Sequence, residues 1–216
     1  MTVSLARPWL RCDLGRMRRV LSWSLNRPGF VEARHILWRE VRDADLTADL
    51  DTGRWFAAEL ARRGDAEAVG LLTSRDIGTW REAAAEVEGI RAQAVVTAGL
   101  SNAERVGRRR PAPASGGETS GYGTINIAVA VSEGLTEGAM VEALSIVTQA
   151  RTAAVLEAGL TLPTGTATGT GTDCIALAAD PGETRHAGLH TPVGEVLGRV
   201  VMEATAAAIA DWMALS

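Results

Sequence analysis

The alternation of apolar and polar positions predicts mostly β-strands in the first half of the chain. Strands at 20–25 and 30–41 flank a turn at 26–29 that is rich in turn-forming residues. The segment 81–88 fits either a strand or a helix, and the turn signal Glu88-Gly89 favours a strand. Together with shorter apolar segments, this pattern gives predicted strands at 20–25, 30–41, 69–73, 81–88 and 92–98.

Three segments have the spacing of apolar positions that is typical of helices. The first is 51–63. The second is 135–159, with Thr136 as a suitable N-cap, and the third runs from 192 to about 215, with Thr191 as N-cap. The predicted buried stripe of the second helix consists of Ala139, Met140, Ala143, Val147, Ala150 and Ala154.

The order of these elements predicts the fold class. Two more strands are predicted at 124–131 and 175–179, followed by turns at 132–134 and 180–182. We therefore expect one α+β domain of 216 residues, in which a mixed, mostly antiparallel sheet packs against the two long helices of the C-terminal half. Residues 108–123, rich in Pro, Gly, Ser and charge, are predicted to form a flexible loop within that domain.

Composition and charge exclude several classes of function. The net charge of -4 and the pI near 5.5 argue against a nucleic-acid binder. The chain contains no lysine, which excludes a Schiff base and a Ser-Lys dyad. Cys12 and Cys174 are too few for a disulfide framework or a four-thiolate metal site. With no export signal and no segment apolar enough to span a bilayer, we expect a soluble, cytoplasmic protein.

The most unusual segment is 164–173, in which Thr alternates with Gly or Ala and Asp173 ends the run. As an extended strand it would place five hydroxyls on one face and leave the other face open to a ligand or another backbone. A simple edge strand is the structural alternative. A phosphate-binding loop is a further alternative, although the lysine of the P-loop pattern is absent.

Histidine is the first candidate for acid–base chemistry. His190 directly precedes the predicted start of the last helix, where the helix dipole favours a neutral imidazole. His186, His190 and Glu195 resemble the spacing of metal ligands, but Gly188 and Pro192 break a shared helical face, so no metal site is expected.

Two nucleophiles are alternatives. The chain order Ser101, Asp173, His190 weakly matches a hydrolase triad, and Cys174 offers a thiol that His190 would have to activate.

Five blocks of the sequence together resemble the adenosylcobinamide amidohydrolase family, and the resemblance covers nearly the whole chain. They are TAGLSNA (97–103), GTINI (123–127), AMVEA (139–143), ATGTGTD (167–173) and GLHT (188–191). The resemblance implies hydrolysis of the amide that joins the aminopropanol arm to the corrin ring, giving adenosylcobyric acid in corrinoid (cobalamin) salvage. The corrinoid, with its own cobalt, would be the substrate, and no further cofactor is implied.

On this basis we assign expected roles to residues in the blocks. The candidate catalytic residues are His190, Asp173 and Glu142: His190 or a carboxylate would activate water, and an acid would protonate the leaving amine. Backbone N–H groups of the Gly-rich run or Asn102 would hold the oxyanion. The candidate substrate-binding residues are Ser101, Asn102, Asn126, Thr168, Thr170, Thr172 and Thr191.

The chain also departs from the family pattern. It has Gln149-Ala150-Arg151 where relatives have Glu-Ala-Lys, and Trp38 where they have Asn. A non-catalytic corrinoid-binding protein is therefore one alternative, and an amidase for another corrinoid, such as a complete cobamide, is a second. The sequence leaves the oligomeric state open.

Overall fold

The computed structural model describes residues 1–42, 45–46, 49–109 and 123–215. Within these ranges the chain forms a mixed α+β domain with one large sheet and three α-helices, which confirms the predicted fold class. Most of the predicted flexible loop at 108–123 lies outside the described residues. The elements are β1 (Thr2–Ala6), β2 (Trp9–Ser22), β3 (Gly29–Glu40), α1 (Thr52–Arg62), β4 (Val69–Thr73), β5 (Arg81–Val87), β6 (Ile90–Ala98), β7 (Ala103–Glu104), β8 (Ile125–Leu135), α2 (Glu137–Glu157), β9 (Thr161–Leu162), β10 (Gly165–Thr166), β11 (Gly169–Thr170), β12 (Cys174–Pro181) and α3 (Pro192–Leu215).

The large sheet has the strand order β4-β3-β2-β12-β8-β6-β5, and β1 pairs with β2 off this path. β12 is parallel to β8 and β3 is parallel to β4, whereas the other pairs are antiparallel. Two short ladders, β7 with β11 and β9 with β10, lie outside this sheet. The starts of β8 and β12 therefore lie beside the end of β6.

The sheet is strongly curled, as two side-chain hydrogen bonds between strands four positions apart in the strand order show. Trp38 Nε1 in β3 donates to Thr97 Oγ1 in β6 at 3.1 Å. Asn126 Nδ2 in β8 donates to the carbonyl oxygen of Leu72 in β4 at 2.7 Å. In a flat sheet such strands would be about 19 Å apart. The sheet therefore forms a half-barrel.

Apolar side chains cover both faces of the half-barrel. Ile127 and Ile175 belong to the core that α2 and α3 form on the convex face. Their neighbours Ala128 and Ala176 point to the other face, because side chains alternate along a strand, and they pack there in one cluster with Trp38. All six residues of the stripe predicted on α2 are buried, as expected.

β8 and β12 extend further than predicted, β8 through the turn placed at 132–134 and β12 into the turn placed at 180–182. They stay paired past a bulge, with Asp180 opposite Gly134. Gly182 lies so close to Gly134 that a Cβ at position 182 would collide with that backbone. Two residues without side chains therefore let the strands continue where the local sequence indicates turns.

α2 bears on the expectation that no segment is apolar enough to span a membrane. Among the described residues it is the one helix that reaches such a length and apolarity, with a mean hydropathy of 1.2. Of that stretch, 44% is buried, and its stripe packs against the sheet and α3. A core helix passes the same test, so this is weak evidence for a membrane span.

Candidate functional site

A cavity of about 430 Å³ opens on the concave side of the half-barrel. Its wall combines β4, α1, the starts of β8 and β12, and the chain between β2 and β3. We call it the mouth cavity. Its lining is mostly apolar, and the lining residues used below are Trp23, Ser24, Leu25, Phe56, Leu72, Thr73, Thr124, Asn126, Thr172, Asp173 and Cys174.

Asp173 holds the wall of the mouth cavity together. Its carboxylate pairs with the guanidinium of Arg151 from α2, and burial lowers the pKa of that guanidinium. Oδ1 accepts hydrogen bonds from Ile125 N at 3.0 Å and from Thr170 Oγ1 at 2.5 Å, while Oδ2 accepts one from Thr170 N at 3.0 Å. Position 169 has room only for glycine, because a Cβ there would lie 2.7 Å from both Arg151 Nη1 and Asp173 Oδ2. One carboxylate thus connects α2, β8 and β11.

The threonine run does not form the single extended face expected from its alternation. It is divided into the short strands β10 and β11, which pair with different partners, and a turn precedes Asp173. The hydroxyls are used locally: Thr168 Oγ1 accepts from Val106 N at 2.8 Å, and Thr172 Oγ1 donates to the carbonyl oxygen of Gly123 at 2.9 Å. Of Thr168, Thr170 and Thr172, only Thr172 lines the mouth cavity.

The predicted amide and serine side chains lie at or near the same place. Asn126 lines the mouth cavity and is only 1% exposed. Asn102 Nδ2 donates to Thr172 Oγ1 at 3.3 Å, so its side chain supports the wall from behind. Gly123 packs against it, since a Cβ there would be 2.8 Å from Asn102 Oδ1. Ser101 is exposed and does not line the cavity.

The other predicted residues lie in a second concavity of about 460 Å³, which we call the α2 groove. Glu142 Oε2 accepts a hydrogen bond from Ala187 N at 2.7 Å, and His190 is exposed. Thr191 caps α3 as predicted, because its Oγ1 accepts from Gly194 N at 3.0 Å. The polar residues that line the groove are Glu142, Ser145, Gln149, His186, His190 and Thr191.

The structure separates these two groups of predicted residues. Arg151, which contacts Asp173, is nine positions from Glu142 on α2, a distance of about 13.5 Å along the helix. α2 covers the convex face of the sheet, whereas the mouth cavity is on the concave side. Asp173, Asn126 and Thr172 are therefore brought together, but His190 and Glu142 do not join them at one reacting bond. The chain order Ser101, Asp173, His190 does not correspond to a triad.

The thiol beside the mouth cavity is in the wrong state for a nucleophile. Burial raises the pKa of Cys174 to about 11, and its Sγ lies 3.9 Å from Ser22 Oγ. A nucleophilic cysteine needs a thiolate stabilised by a neighbouring positive charge. At neutral pH Cys174 is protonated and lacks this activation.

In the part of the chain that the structure describes, no group of three or more His, Cys, Asp or Glu side chains is arranged to hold a metal ion. His186 and His190 line the α2 groove, whereas Glu195 does not. Within those described residues, the side chains offer no ligand set for a bound metal in either concavity.

Several lining residues were not predicted from the sequence. Trp23, Ser24 and Leu25 follow β2, and Trp23 Nε1 donates to the carbonyl oxygen of Asp173 at 2.7 Å. Thr73 ends β4. These residues reach the cavity only because the sheet curls, so no local motif marks them. Arg151, which pairs with Asp173 but does not line the cavity, was noted in the sequence only as a difference from the residue that the family resemblance implies.

The site is a partly open, mostly apolar cavity with residues that carry hydroxyl and amide groups in its wall, a composition typical of small-molecule sites. The chain matches the family model CbiZ, adenosylcobinamide amidohydrolase, over residues 2–216. It therefore belongs to the adenosylcobinamide amidohydrolase family, as the five blocks indicated. The family name describes a hydrolase that acts on an amide.

No curated protein matches the sequence. Among solved structures, the chain is similar to the PH0078 protein from Pyrococcus horikoshii OT3, with a TM-score of 0.44 and 11% identity. The match covers 94% of this chain and 77% of that one. A likeness at this level carries no argument about the site or the reaction.

Proposed function

We propose that this protein hydrolyses the amide between the aminopropanol arm and the corrin ring of adenosylcobinamide. Water supplies a hydroxyl to the acyl carbon and a proton to the nitrogen as the C–N bond breaks. The products are adenosylcobyric acid and aminopropanol, and water is the only co-substrate. The corrinoid brings its own cobalt.

The proposal rests on which parts of the sequence form the wall of the mouth cavity. Residues from two separate blocks of the family, 123–127 and 167–173, line the cavity, and Asn102 of a third block supports Thr172. About 430 Å³ suits a drug-sized ligand or one part of a larger one. We therefore propose that the amide-bearing arm enters the cavity while the ring remains at its rim.

The chemistry requires oxyanion donors and a group that orients water. Asn126 Nδ2 donates one hydrogen to the carbonyl oxygen of Leu72, and we propose that its second hydrogen is donated to a substrate oxygen. Asp173 is the one carboxylate among the described lining residues. Because its oxygens already accept from Arg151, Ile125 and Thr170, we propose that it orients water and the arm rather than acting as a strong base.

The α2 groove is the second location for the reaction, because Glu142 and His190 are there and can carry protons. Gln149 also lines it, at the position where the family resemblance implies Glu. The groove, between α2 and the segment that precedes α3, is the more open of the two concavities. We therefore propose the mouth cavity as the reaction site and treat the groove as the alternative.

A chromatographic assay of adenosylcobinamide conversion tests both the function and its location. We expect wild type to release adenosylcobyric acid and Asn126→Leu to lose at least about 100-fold in kcat/KM, since it lacks an oxyanion donor. His190→Ala is the matched variant for the groove, and we expect it to retain most of the activity. Loss of activity in His190→Ala alone would move the reaction to the groove.

Two other outcomes decide between the alternative functions. Wild type that binds adenosylcobinamide but releases no product would identify a non-catalytic corrinoid-binding protein. Wild type that cleaves a complete cobamide and leaves adenosylcobinamide intact would identify an amidase for another corrinoid.

A further inference from the structure

The chain between β2 and β3 contributes three consecutive residues to the mouth cavity. Trp23 is 44% exposed and Leu25 is 61% exposed, whereas Ser24 between them is 2% exposed. The indole of Trp23 is fixed by its hydrogen bond to the Asp173 carbonyl. This segment thus places two apolar side chains at the rim and one small hydroxyl inside the wall.

The Ser24 hydroxyl is buried and has no hydrogen-bond partner among the described residues. Its backbone is held in place, because Ser24 N donates to Ser22 Oγ at 3.0 Å. A buried hydroxyl that lacks a partner is unfavourable by about 1–3 kcal/mol, so a ligand group that pairs with it gains that free energy on binding. Because Ser24 lines the mouth cavity, a ligand bound there can supply that partner.

We propose that the Ser24 hydroxyl donates a hydrogen bond to the carbonyl oxygen of the substrate amide in the mouth cavity. This inference rests on the proposed function and adds a specificity-determining residue to it. An amide carbonyl is a strong acceptor, and its oxygen gains negative charge as water attacks, so the bond strengthens towards the transition state. Trp23 and Leu25 would contact the apolar edge of the ring at the rim.

Ser24 is a donor in this proposal and not a nucleophile. Activation of a serine needs an adjacent base. His186 and His190 line the α2 groove, and no histidine is among the described residues that line the mouth cavity. Asp173, the one carboxylate among the described lining residues, pairs with Arg151 and Thr170. Ser24 therefore acts on the position and polarity of the amide.

Ser24→Ala tests the inference because it removes the hydroxyl and little else. We expect kcat/KM for adenosylcobinamide to fall about 100-fold, mainly through kcat, while the urea midpoint of unfolding stays the same or rises. Ser24→Thr retains the hydroxyl and should recover part of the activity.

Two matched controls separate this effect from general ones. Thr205 lies in α3 and has another buried hydroxyl that lacks a partner among the described residues. Thr205→Val removes that hydroxyl and should leave kcat/KM unchanged. Ser22→Ala removes the hydroxyl that accepts the backbone N–H of Ser24, so, unlike Ser24→Ala, it should lower the urea midpoint, and it should lower kcat/KM by a smaller factor than Ser24→Ala does. Unchanged kcat/KM in Ser24→Ala would overturn the inference.

A binding titration distinguishes failure of the inference from failure of the proposed function. Adenosylcobinamide is added to each protein and quenching of tryptophan fluorescence is followed, which requires no turnover. If wild type binds without hydrolysis, the proposed reaction fails, and at least about fivefold weaker binding by Ser24→Ala still supports the contact. Equal affinity of the two proteins, or no binding by wild type, overturns it.

Discussion

At the scale of single residues, Asp173 can contribute to folding, through its ion pair with Arg151, and to the reaction, through its place at the mouth cavity. Their ion pair is largely buried, with side chains 7% and 13% exposed. Removing one partner of such a pair leaves an uncompensated charge and costs about 3–5 kcal/mol. Asp173 also lines the mouth cavity, so loss of activity alone would not separate a role in the reaction from a role in folding.

A double substitution separates the two roles. Asp173→Asn should lower the free energy of unfolding by about 3–5 kcal/mol in urea titrations, because Arg151 loses its counter-charge. Adding Arg151→Gln removes the second charge and should recover more than half of that loss. If Asp173 takes part in the reaction, the double variant regains stability without regaining conversion of adenosylcobinamide. Recovery of both would limit Asp173 to holding the wall, and additive losses of stability would contradict the ion pair.

At the scale of elements, glycines mark where two backbones approach. Gly182 follows β12 and lies against Gly134 of β8, with no room for a Cβ. Gly138 in the first turn of α2 is exposed, and a Cβ added there would meet nothing within 4 Å. The two positions make a matched pair, since the same substitution meets a crowded backbone in one and open space in the other.

Gly182→Ala should lower the free energy of unfolding by about 2 kcal/mol or more, because the paired ends of β8 and β12 must separate. Gly138→Ala should raise it by up to about 1 kcal/mol, since alanine favours a helix. Urea unfolding followed by circular dichroism measures both. A Gly182→Ala variant as stable as wild type would contradict the close approach of the two strands.

The three helices and most strands after residue 29 were predictable because their signals are local, whereas β1 and the first half of β2 were not predicted. Asp51 and Thr136 cap α1 and α2, and Thr191 caps α3, each through a side chain that accepts from a backbone N–H three residues on. The ends of β8 and β12 were not predictable, since they depend on Gly134 meeting Gly182 from another part of the chain. The threonine run likewise follows its pairing with β7, which its own alternation does not indicate.

At the scale of the whole molecule, the curl of the sheet decides which residues share a site. Trp38 and Thr97 are 59 residues apart in sequence and four strands apart in the sheet, yet they are hydrogen-bonded. No period of apolar residues encodes that contact. For this reason the sequence placed Asp173 and His190 in one expected site. In the fold, Asp173 contacts Arg151 of α2, whereas His190 lines the groove with Glu142, about 13.5 Å away along that helix.

The same contact gives a test of the half-barrel itself. Thr97→Val removes the acceptor and leaves the buried Trp38 Nε1–H unpaired, and Trp38→Phe removes the donor. Each variant should lose about 1–3 kcal/mol in urea unfolding, Trp38→Phe with an added loss of packing. Because the same hydrogen bond is lost in both single variants, the double variant should lose about 1 kcal/mol less than the sum of the two, and the cycle cancels the packing loss.

Thr124→Val is the control: it removes a hydroxyl bonded to Thr172 O on a neighbouring segment and should combine additively with Trp38→Phe. Additive losses in the Trp38–Thr97 cycle as well would mean that β3 and β6 do not meet across the concave side, and the mouth cavity would lose its closed wall.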